Sequence, residues 1–455
     1  MSILIKKKSR FRGLDLPENK FTEHKPIEAI PIPKTAVMPL VQNIGAPCSF
    51  IIEKGDAVKT GQKIADSKSY VSAPIHSPVS GKVKRLSKIL NPVTGALMDS
   101  ASIESDGEDS RVQTDPLFDI DASKDYGQLV NIIDSISRED ILSRIREGGI
   151  VGLGGAAFPT HVKLNPPPEK EIDTVILNGC ECEPFITSDH RVMLEYGKQV
   201  LAGLYIIKRL LDPESIYIAI EDNKKDAIES MGELVTEMGF EDMCRIVSLP
   251  SRYPMGAEKT LIKTIVNRAV PMGGLPMDVG VVVNNVTTSK AIYEAVIEGQ
   301  PLISKVITIT GEYEEIKNVL VRIGTPISEL LEMCGINREK ANKVIVGGPM
   351  MGNLLLDPDF PVTKGANCIL AMDSRIPQEQ NCIKCGRCVK ICPMNLEPLV
   401  YARNVKSGRS EGLKDFYISN CIECGSCAYV CPSNIPIVGY IKAGKAMLAR
   451  EQNAG

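Results

Sequence analysis

The chain has no tryptophan and no long apolar run. The missing tryptophan excludes nothing by itself, but no stretch approaches the ~18 to 20 apolar residues of a membrane-spanning helix, so we expect none. An apolar signal segment is also missing at the N-terminus, which makes the cytoplasm the expected location and leaves peripheral attachment to the cytoplasmic membrane open. Positive charge is not in excess, because 53 lysines and arginines face 56 acidic residues. That balance argues against a general nucleic-acid binder.

What the chain does have is length and cysteine. Its 455 residues are more than one domain usually holds. The 43% hydrophobic content is ordinary for a soluble globular protein. Disulfides are unexpected without a secretory signal. The cysteines that show neither a disulfide framework nor a regular spacing are Cys48, Cys180, Cys182, Cys244, Cys334 and Cys368.

The remaining cysteines form two runs of identical spacing. The first run is Cys382, Cys385, Cys388 and Cys392, and the second is Cys421, Cys424, Cys427 and Cys431. A proline follows each run, as in bacterial proteins with two [4Fe–4S] clusters, where the fourth cysteine of a run binds the other cluster. The predicted ligands are Cys382, Cys385, Cys388 and Cys431 for one cluster, and Cys421, Cys424, Cys427 and Cys392 for the other. Two zinc knuckles are the alternative, but zinc sites usually show two Cys-x-x-Cys pairs.

Short apolar segments and tight turns between residues 30 and 103 predict a β domain. The pattern resembles the barrel-sandwich hybrid fold of biotinyl and lipoyl domains, which carry a cofactor on a lysine at a hairpin tip. Lys68 stands between the two halves but lacks the usual neighbouring methionine, so we favour a structural role over a carrier. Before this domain, the basic residues between Lys6 and Arg12 predict a solvated tail, or a dock for an acidic membrane surface or partner.

A glycine-rich stretch at 152–160 is the second place with chemistry. It satisfies the dinucleotide pattern G-x-G-x-x-A. However, a helix from Ser137 to Gly148 precedes it, and Pro159 prevents a helix from starting at Ala156, so it is no ordinary dinucleotide fingerprint. Its glycines still expose backbone N–H groups, which suits phosphate binding. A purely structural loop is the alternative.

Two buried strands end in polar clusters. The strand at 174–177 leads into amide and carboxylate residues, the strand at 279–283 leads into amides and hydroxyls, and helices alternate with them in an α/β pattern. One long helix is expected around 191–211, and another is expected to begin at Ser289. Ligands of α/β folds bind at the carboxyl ends of strands, so both clusters could face the glycine-rich loop. Such a constellation suits a flavin or a nucleotide. Helix capping by Thr287, Thr288 and Ser289 is the alternative interpretation of the hydroxyls.

Across nearly its full length the chain resembles the RnfC family, the NADH-side subunits of Rnf ferredoxin:NAD⁺ oxidoreductases. The resemblance rests on the two cysteine runs and on the segments 152–163, 178–184, 253–259 and 274–280. The glycine-rich loop ending in Phe-Pro, and the strand end with asparagine before acidic residues, are also similar to the flavin subunit of respiratory complex I. The family implies non-covalent FMN with NADH stacked on it, and a β-grasp domain of the SLBB type at residues 302–355.

The resemblance also implies the residues of the flavin site. Gly152, Gly154 and Gly155 would line the FMN phosphate, Lys163 would contact the flavin or NADH, and Phe158 would stack on the nucleotide. The residues implied around the flavin and the nicotinamide are Asn178, Glu181, Glu183, Glu258, Asn284, Asn285 and Thr288. Hydride transfer requires no acid–base residue, so none is assigned.

We therefore expect a multidomain α/β chain. Short strands return at 301–372 without a catalytic constellation, which predicts a small β-grasp module. The predicted parts are an N-terminal arm (1–29), a barrel-sandwich hybrid domain (30–105), a linker (106–136), a Rossmann-like α/β domain for FMN and NADH (137–300), an SLBB β-grasp domain (301–372) and a helical ferredoxin-type domain with two [4Fe–4S] clusters (373–455).

The predicted function is electron transfer between NAD(H) and partner subunits. A hydride carries two electrons and a cluster accepts one, so FMN, which holds one or two, must stand between them. The expected partners are the membrane subunits of an Rnf complex or a soluble reductase, with ferredoxin served indirectly. Two alternatives stay open: an NADH-oxidising subunit of a soluble complex such as a methylenetetrahydrofolate reductase, and a flavin-free electron-wire scaffold.

Overall fold

The computed structural model describes residues 4–7, 12–91, 95–114, 116, 126–312, 315–336, 343–373 and 377–454. The strands are β1 (Leu4–Lys6), β2 (Ile27–Ala29), β3 (Thr35–Pro39), β4 (Ser49–Phe50), β5 (Ala57–Val58), β6 (Lys63–Asp66), β7 (Ile75–His76), β8 (Gly81–Leu90), β9 (Leu97–Ser105), β10 (Thr174–Gly179), β11 (Ser215–Glu221), β12 (Arg245–Leu249), β13 (Val281–Asn285), β14 (Ser304–Gly311), β15 (Lys317–Arg322), β16 (Lys343–Val346), β17 (Asn353–Leu354) and β18 (Cys368–Met372). The helices are α1 (Tyr126–Ser135), α2 (Arg138–Glu147), α3 (Thr160–Lys163), α4 (Ser188–Glu195), α5 (Gly197–Leu211), α6 (Lys225–Glu237), α7 (Glu258–Ile265), α8 (Val286–Val296), α9 (Ile327–Met333), α10 (Arg387–Ile391), α11 (Pro398–Lys406), α12 (Glu411–Asp415), α13 (Ser426–Tyr429) and α14 (Ile437–Ala454).

The N-terminal arm is built into two sheets. Strand β1 pairs in parallel with β12, and β2 pairs in parallel with β15. The Nζ of Lys7 also donates to the carbonyl oxygen of Ile265 (3.1 Å). The solvated tail is therefore wrong for residues 4–7, while Lys8 and Arg10 lie outside the described residues.

Strands β3 to β9 form two small antiparallel sheets, with the orders β3-β9-β8-β5 and β4-β6-β7. Their inner faces share one core, in which Ile64, Val79 and Ile103 are buried. Lys68 is exposed in the connection between β6 and β7. Its structural role stays a prediction.

The central sheet is parallel, with the order β1-β12-β11-β10-β13. Helices cover both faces: Leu177 of β10 packs into the core that includes α4, α5, α6 and α8, whereas Ile176 packs into the core that includes α7. Burial on two faces explains the continuous apolar run of β10. Because β10 and β13 are neighbours, with Asn178 opposite Asn285, the two polar strand ends meet at one edge of the sheet.

Two helix boundaries differ from the sequence prediction. The single helix expected around 191–211 is two helices, α4 and α5, which meet at Tyr196. Helix α8 begins at Val286 and not at Ser289, because Asn285 is its N-cap. The expected cap at Ser137 is confirmed, since its side chain accepts from the N–H of Asp140.

The expected linker at 106–136 contains helix α1. Three of its residues, Leu129, Ile132 and Ile133, are buried, and they join the core of the α/β domain. Their spacing is that of one helix face, which the surrounding acidic and polar residues obscured. Residues 117–125 lie outside the described part of the chain.

The last two domains complete the chain. One sheet has the order β17-β16-β18-β14-β15-β2, and α9 packs on it through Leu330 beside Val319. The C-terminal helices α10 to α14 enclose a small core of their own, with Tyr401, Leu413 and Ile441 fully buried. That core holds the two cysteine runs together.

Candidate functional site

The glycine-rich loop at 152–159 folds back on itself. The N–H of Gly152 donates to the carbonyl oxygen of Phe158 (2.9 Å), and the N–H of Ala157 donates to the carbonyl oxygen of Gly152 (3.1 Å). The N–H of Leu153 donates to Oγ1 of Thr288, in the first turn of α8 (2.8 Å). Thr288 therefore braces the loop, a use that helix capping does not account for.

Three consecutive residues at the tip of this loop, Gly154, Gly155 and Ala156, are exposed, and their N–H groups donate to no group in the described part of the chain. A Cβ on Gly154 would lie 3.1 Å from the Cβ of Asn285. One on Gly155 would meet nothing within 4 Å, but the φ of +131° there disfavours other residues. Adjacent open N–H groups form an anion-binding concavity. The loop thus fits the phosphate of FMN.

The amides at the two strand ends differ in their contacts. The Nδ2 of Asn178 donates to the carbonyl oxygen of Gly256 (2.9 Å), and its Oδ1 accepts from the N–H of Cys180 (2.9 Å), so this side chain holds the turn after β10. Asn284 is only 4% exposed, and its Nδ2 has no partner among the residues described. An unpartnered buried donor is costly, and a bound group with an acceptor would satisfy it. The Asn284 amide therefore fits a flavin at the end of β13.

Asp189, in the first turn of α4, is a residue of this site that the sequence reasoning missed. Its carboxylate accepts from Nδ2 of Asn285 and from Oγ1 of Thr287, both at 2.6 Å. The Oδ1 of Asn285 in turn accepts from the N–H of Thr287 (2.9 Å) and of Thr288 (3.2 Å). Burial, and secondarily the charge of Glu181, raises the pKa of Asp189 to about 6. An acid in the first turn of a helix usually serves the helix dipole, so the sequence offered no signal.

We expect Asp189→Asn to remove a pH dependence of stability. The folded-state pKa of about 6 exceeds the ~3.9 of an unperturbed aspartate. Folding therefore favours the protonated carboxyl, and the stability it contributes below pH ~4 is lost as the pH rises through ~6. Thermal unfolding between these pH values and neutrality should show the native protein losing stability relative to the variant. A difference that stays constant with pH would contradict the assignment.

Lys163 and Glu258, both implied to contact the flavin or the nucleotide, contact each other. The Nζ of Lys163, at the end of α3, lies 2.8 Å from Oε1 of Glu258, at the start of α7, and their side chains are 27% and 38% exposed. The pair is thus open to a ligand. Phe158 is half-buried, and its stacking on the nucleotide stays a prediction.

Glu181 and Glu183 lie at the expected strand end, but their carboxylates are engaged by the protein. Glu181 accepts from the N–H of Asp189 (2.8 Å) and so holds the first turn of α4. Glu183 accepts from the N–H groups of Met350 (2.7 Å) and Met351 (3.0 Å), between β16 and β17. Burial raises the pKa of Glu183. Contact of either carboxylate with the flavin or the nicotinamide stays a prediction.

The two cysteine runs surround two separate cavities. The inner cavity is lined by Cys392, Cys421, Cys424 and Cys427. The outer cavity is lined by Cys382, Cys385, Cys388 and Cys431. Each cavity takes three cysteines of one run and the fourth of the other, and four thiols are the ligand set of a [4Fe–4S] cluster. Among the described residues, no three thiol, imidazole or carboxylate groups converge as the ligands of a single metal ion would.

The inner cavity adjoins the α/β and β-grasp domains. The Oη of Tyr253 donates to the carbonyl oxygen of Cys424 (2.6 Å), and a Cβ on Gly425 would lie 2.7 Å from the carbonyl oxygen of Met350. Cys424 is buried, whereas Cys385 of the outer cavity is exposed. One cysteine set therefore faces the candidate flavin domain, and the other opens to solvent.

Comparison with known families agrees with this layout. The matching models are the RnfC barrel sandwich hybrid domain (9–108), the Nuo51 FMN-binding domain (145–294), the SLBB domain (306–354) and a 4Fe-4S dicluster domain (381–435). A subunit of the proton-translocating ferredoxin:NAD(+) oxidoreductase complex of Clostridium ljungdahlii is 46% identical, over 85% of this chain and 82% of that protein. The chain belongs to the RnfC family. The predicted fold class and both kinds of cofactor are thereby confirmed: this is an oxidoreductase subunit with an FMN-binding domain and a two-cluster domain.

Other RnfC-family relatives are similar over most of the chain. A subunit of the Na(+)-translocating ferredoxin:NAD(+) oxidoreductase complex of Acetobacterium woodii is 42% identical, over 81% of this chain and 80% of that protein. A subunit of an ion-translocating oxidoreductase complex of Pseudomonas aeruginosa is 40% identical, over 97% of this chain and 55% of that protein. A solved NAD+-reducing [NiFe]-hydrogenase in the H2-reduced state has a TM-score of 0.49 at 15% identity, over 75% of this chain and 67% of that chain, a likeness too weak to carry an argument. Within the described ranges, no helix of this RnfC-family chain is long and apolar enough to cross a membrane.

Proposed function

We propose that the chain exchanges a hydride with NAD(H) at FMN and relays single electrons through two [4Fe–4S] clusters, to or from the partner subunits of an Rnf-type ferredoxin:NAD⁺ oxidoreductase. The substrate and the partners come from the relatives of 46% and 42% identity, which are subunits of ferredoxin:NAD(+) oxidoreductase complexes. The observation that carries the relay is the hydrogen bond from Tyr253 to the carbonyl oxygen of Cys424. It joins a predicted cluster ligand to the segment that leads into α7 and Glu258.

The residues of the chain would bind and orient FMN and the nucleotide. When bound, FMN supplies the conversion between a two-electron hydride and single electrons, and the clusters carry those electrons onward. The open N–H groups at 154–156 would hold the phosphate, Asn284 would donate to the flavin, and the half-buried Lys163–Glu258 pair would face the nucleotide. The residues proposed for FMN and NADH are Gly152, Gly154, Gly155, Phe158, Lys163, Asn178, Glu181, Glu183, Glu258, Asn284, Asn285 and Thr288.

The order of the clusters follows from their surroundings. Cys392, Cys421, Cys424 and Cys427 would hold the inner cluster. That cluster would exchange electrons with the flavin domain, since Tyr253 donates directly to the carbonyl oxygen of Cys424. Cys382, Cys385, Cys388 and Cys431 would hold the outer cluster. That cluster would exchange electrons with the partner, since Cys382 and Cys385 are exposed. The N–H of Lys384 donates to Sγ of Cys382 (3.3 Å), and an equivalent hydrogen bond is present in the second run. Hydrogen bonds to cysteine sulfurs of this kind set the reduction potentials of clusters.

The alternatives have less support. A flavin-free scaffold has no need of three open N–H groups at 154–156 or of the buried, unpartnered amide of Asn284. A soluble complex has no observation in its favour, since the relatives above belong to ion-translocating complexes. Ion translocation requires a membrane, so we place the chain as a peripheral subunit at its cytoplasmic face.

An anaerobic titration tests the proposal. The protein is reconstituted with iron, sulfide and FMN, and NADH is added while the visible spectrum is recorded. We expect the flavin bands to bleach first and the cluster absorbance to fall afterwards. Clusters that load normally in a protein that neither retains FMN nor responds to NADH would overturn the proposal in favour of the scaffold.

A further inference from the structure

The two cysteine runs share one backbone conformation. Lys384 of the first run and Glu423 of the second both have a φ of 56°, and Gly386 and Gly425 have φ values of 73° and 79°. The N–H of Glu423 donates to Sγ of Cys421 (3.3 Å), which repeats the bond from Lys384 in the first run. The two runs are therefore structural equivalents, and a difference between them reflects their side chains and surroundings.

The second run is covered by its own chain, and the first run is not. Gly425 packs against the carbonyl oxygen of Met350, and the carbonyl oxygen of Cys424 accepts from Tyr253. Glu423 forms an ion pair with Lys445 (2.6 Å). In the first run, all residues from 382 to 387 are exposed. The face that serves as an interface within the chain in one run is left open in the other.

The open face carries uncompensated positive charge. Lys384, Arg387 and Lys390 are exposed, and their side chains form no ion pair or hydrogen bond with any residue that the structure describes. Their equivalents in the covered run are Glu423, Ser426 and Tyr429. The whole chain has a net charge of −3, so this concentration of cations is local.

Two apolar side chains lie among these cations. Ile383 is 68% exposed and Val389 is 38% exposed. Together, Ile383, Lys384, Arg387, Val389 and Lys390 form what we name the collar, which surrounds the exposed Cys382 and Cys385. A small apolar centre with a charged rim is the usual anatomy of a transient protein interface.

We propose that the collar is the docking surface for an electron-transfer protein whose own one-electron centre is surrounded by carboxylates. The inference rests on the proposed function, in which the outer cluster exchanges electrons with a partner. Charge complementarity selects an acidic partner, because opposite charges steer the encounter and fix its orientation. An anionic lipid surface would satisfy the same cations, but it would place the exposed cysteines against a surface that holds no electron acceptor.

The test uses the full chain, loaded with clusters and FMN, and a variant that gives the first run the side chains of the second: Lys384→Glu, Arg387→Ser and Lys390→Tyr. The shared backbone shows that the loop accommodates these residues, and iron content with the cluster spectrum reports loading. Should this variant fail to load, Lys390→Glu alone replaces it, since Lys390 does not line the outer cavity. The control variant reverses the charge of Lys54, Lys59 and Lys82 in the barrel-sandwich domain. These three lysines are exposed and form no ion pair with any residue that the structure describes.

The probe is an acidic bacterial ferredoxin with two [4Fe–4S] clusters, and stopped-flow or surface-based kinetics measure its association at several salt concentrations. At low salt we expect the collar variant to associate about 10- to 100-fold more slowly than the native chain, with a weaker dependence on salt, and the control variant to match the native chain. No binding of the probe by the native chain, or equal losses in both variants, would overturn the proposal.

Anionic phospholipid vesicles provide the competing outcome. Loss of vesicle binding in the collar variant, with ferredoxin binding unchanged, would assign the collar to lipid and overturn the proposal. The binding measurement needs no NADH, so it separates this inference from the proposed function. A chain that binds ferredoxin through the collar but does not respond to NADH would support the docking surface while refuting the relay from NADH.

Discussion

Replacing Gly154 with aspartate is expected to abolish measurable FMN binding and to leave both clusters loaded. Its Cβ would lie 3.1 Å from the Cβ of Asn285, which is already tight. The new carboxylate would then lie beside the three open N–H groups, where it occupies the anion site and repels the phosphate. For charges about 6 Å apart at an effective dielectric constant of ~20, each like pair costs about 3 kcal/mol, or about 100-fold in affinity. Flavin fluorescence quenching and iron content provide the two measurements.

Gly154→Asn is the matched control, because asparagine has nearly the same shape and no charge. The difference in FMN affinity between the native protein and the asparagine variant measures the effect of the steric contact with Asn285. The difference in FMN affinity between the two variants measures the repulsion of the phosphate alone. Equal FMN affinities in the aspartate and asparagine variants would show that the phosphate does not lie at this loop, whatever the steric effect.

The features that follow from local sequence could be predicted. The spacing of each cysteine run is a property of about a dozen neighbouring residues. It predicts that three cysteines of one run group with the fourth cysteine of the other run, and such a group lines each cavity. The alternation of apolar strands and helices likewise predicts a parallel sheet, and with it the edge where Asn178 and Asn285 are paired. The glycines at 152, 154 and 155 predict an open loop because they have no side chains to cover its backbone.

The features that depend on distant packing could not be predicted. Tyr253 and Cys424 are separated by 171 positions, and no periodicity links them. Asp189 is 96 positions from Asn285, whose amide it holds. Glu183 shows the same dependence: its place at a strand end suggested a ligand contact, and the structure adds a bond to its carboxylate from the N–H of the distant Met350. Side chains at such an edge either meet a ligand or brace a neighbouring domain, and only the tertiary contacts distinguish the two.

Serine substitutions at one equivalent position of each run are expected to separate the two clusters. Cys424→Ser removes a predicted ligand of the inner cluster, and Cys385→Ser removes the equivalent predicted ligand of the outer cluster. If electrons pass from the flavin domain through the inner cluster, NADH should still reduce the inner cluster of Cys385→Ser. In Cys424→Ser, NADH should reduce the flavin and leave the outer cluster oxidised. Electron paramagnetic resonance during the NADH titration distinguishes the two clusters.

Dithionite provides the control for this pair of variants, because it reduces exposed clusters directly. The outer cluster of Cys424→Ser should be reduced by dithionite and not by NADH. Its reduction by dithionite would exclude damage to that cluster as the reason why NADH does not reduce it. The bond from Tyr253 to the backbone of Cys424 joins the inner cavity to the candidate flavin domain, and it fixes the direction of the asymmetry. Reduction of the outer cluster by NADH at the native rate in Cys424→Ser would mean that the flavin domain reaches that cluster by another route, and the order of the two clusters would then be reversed.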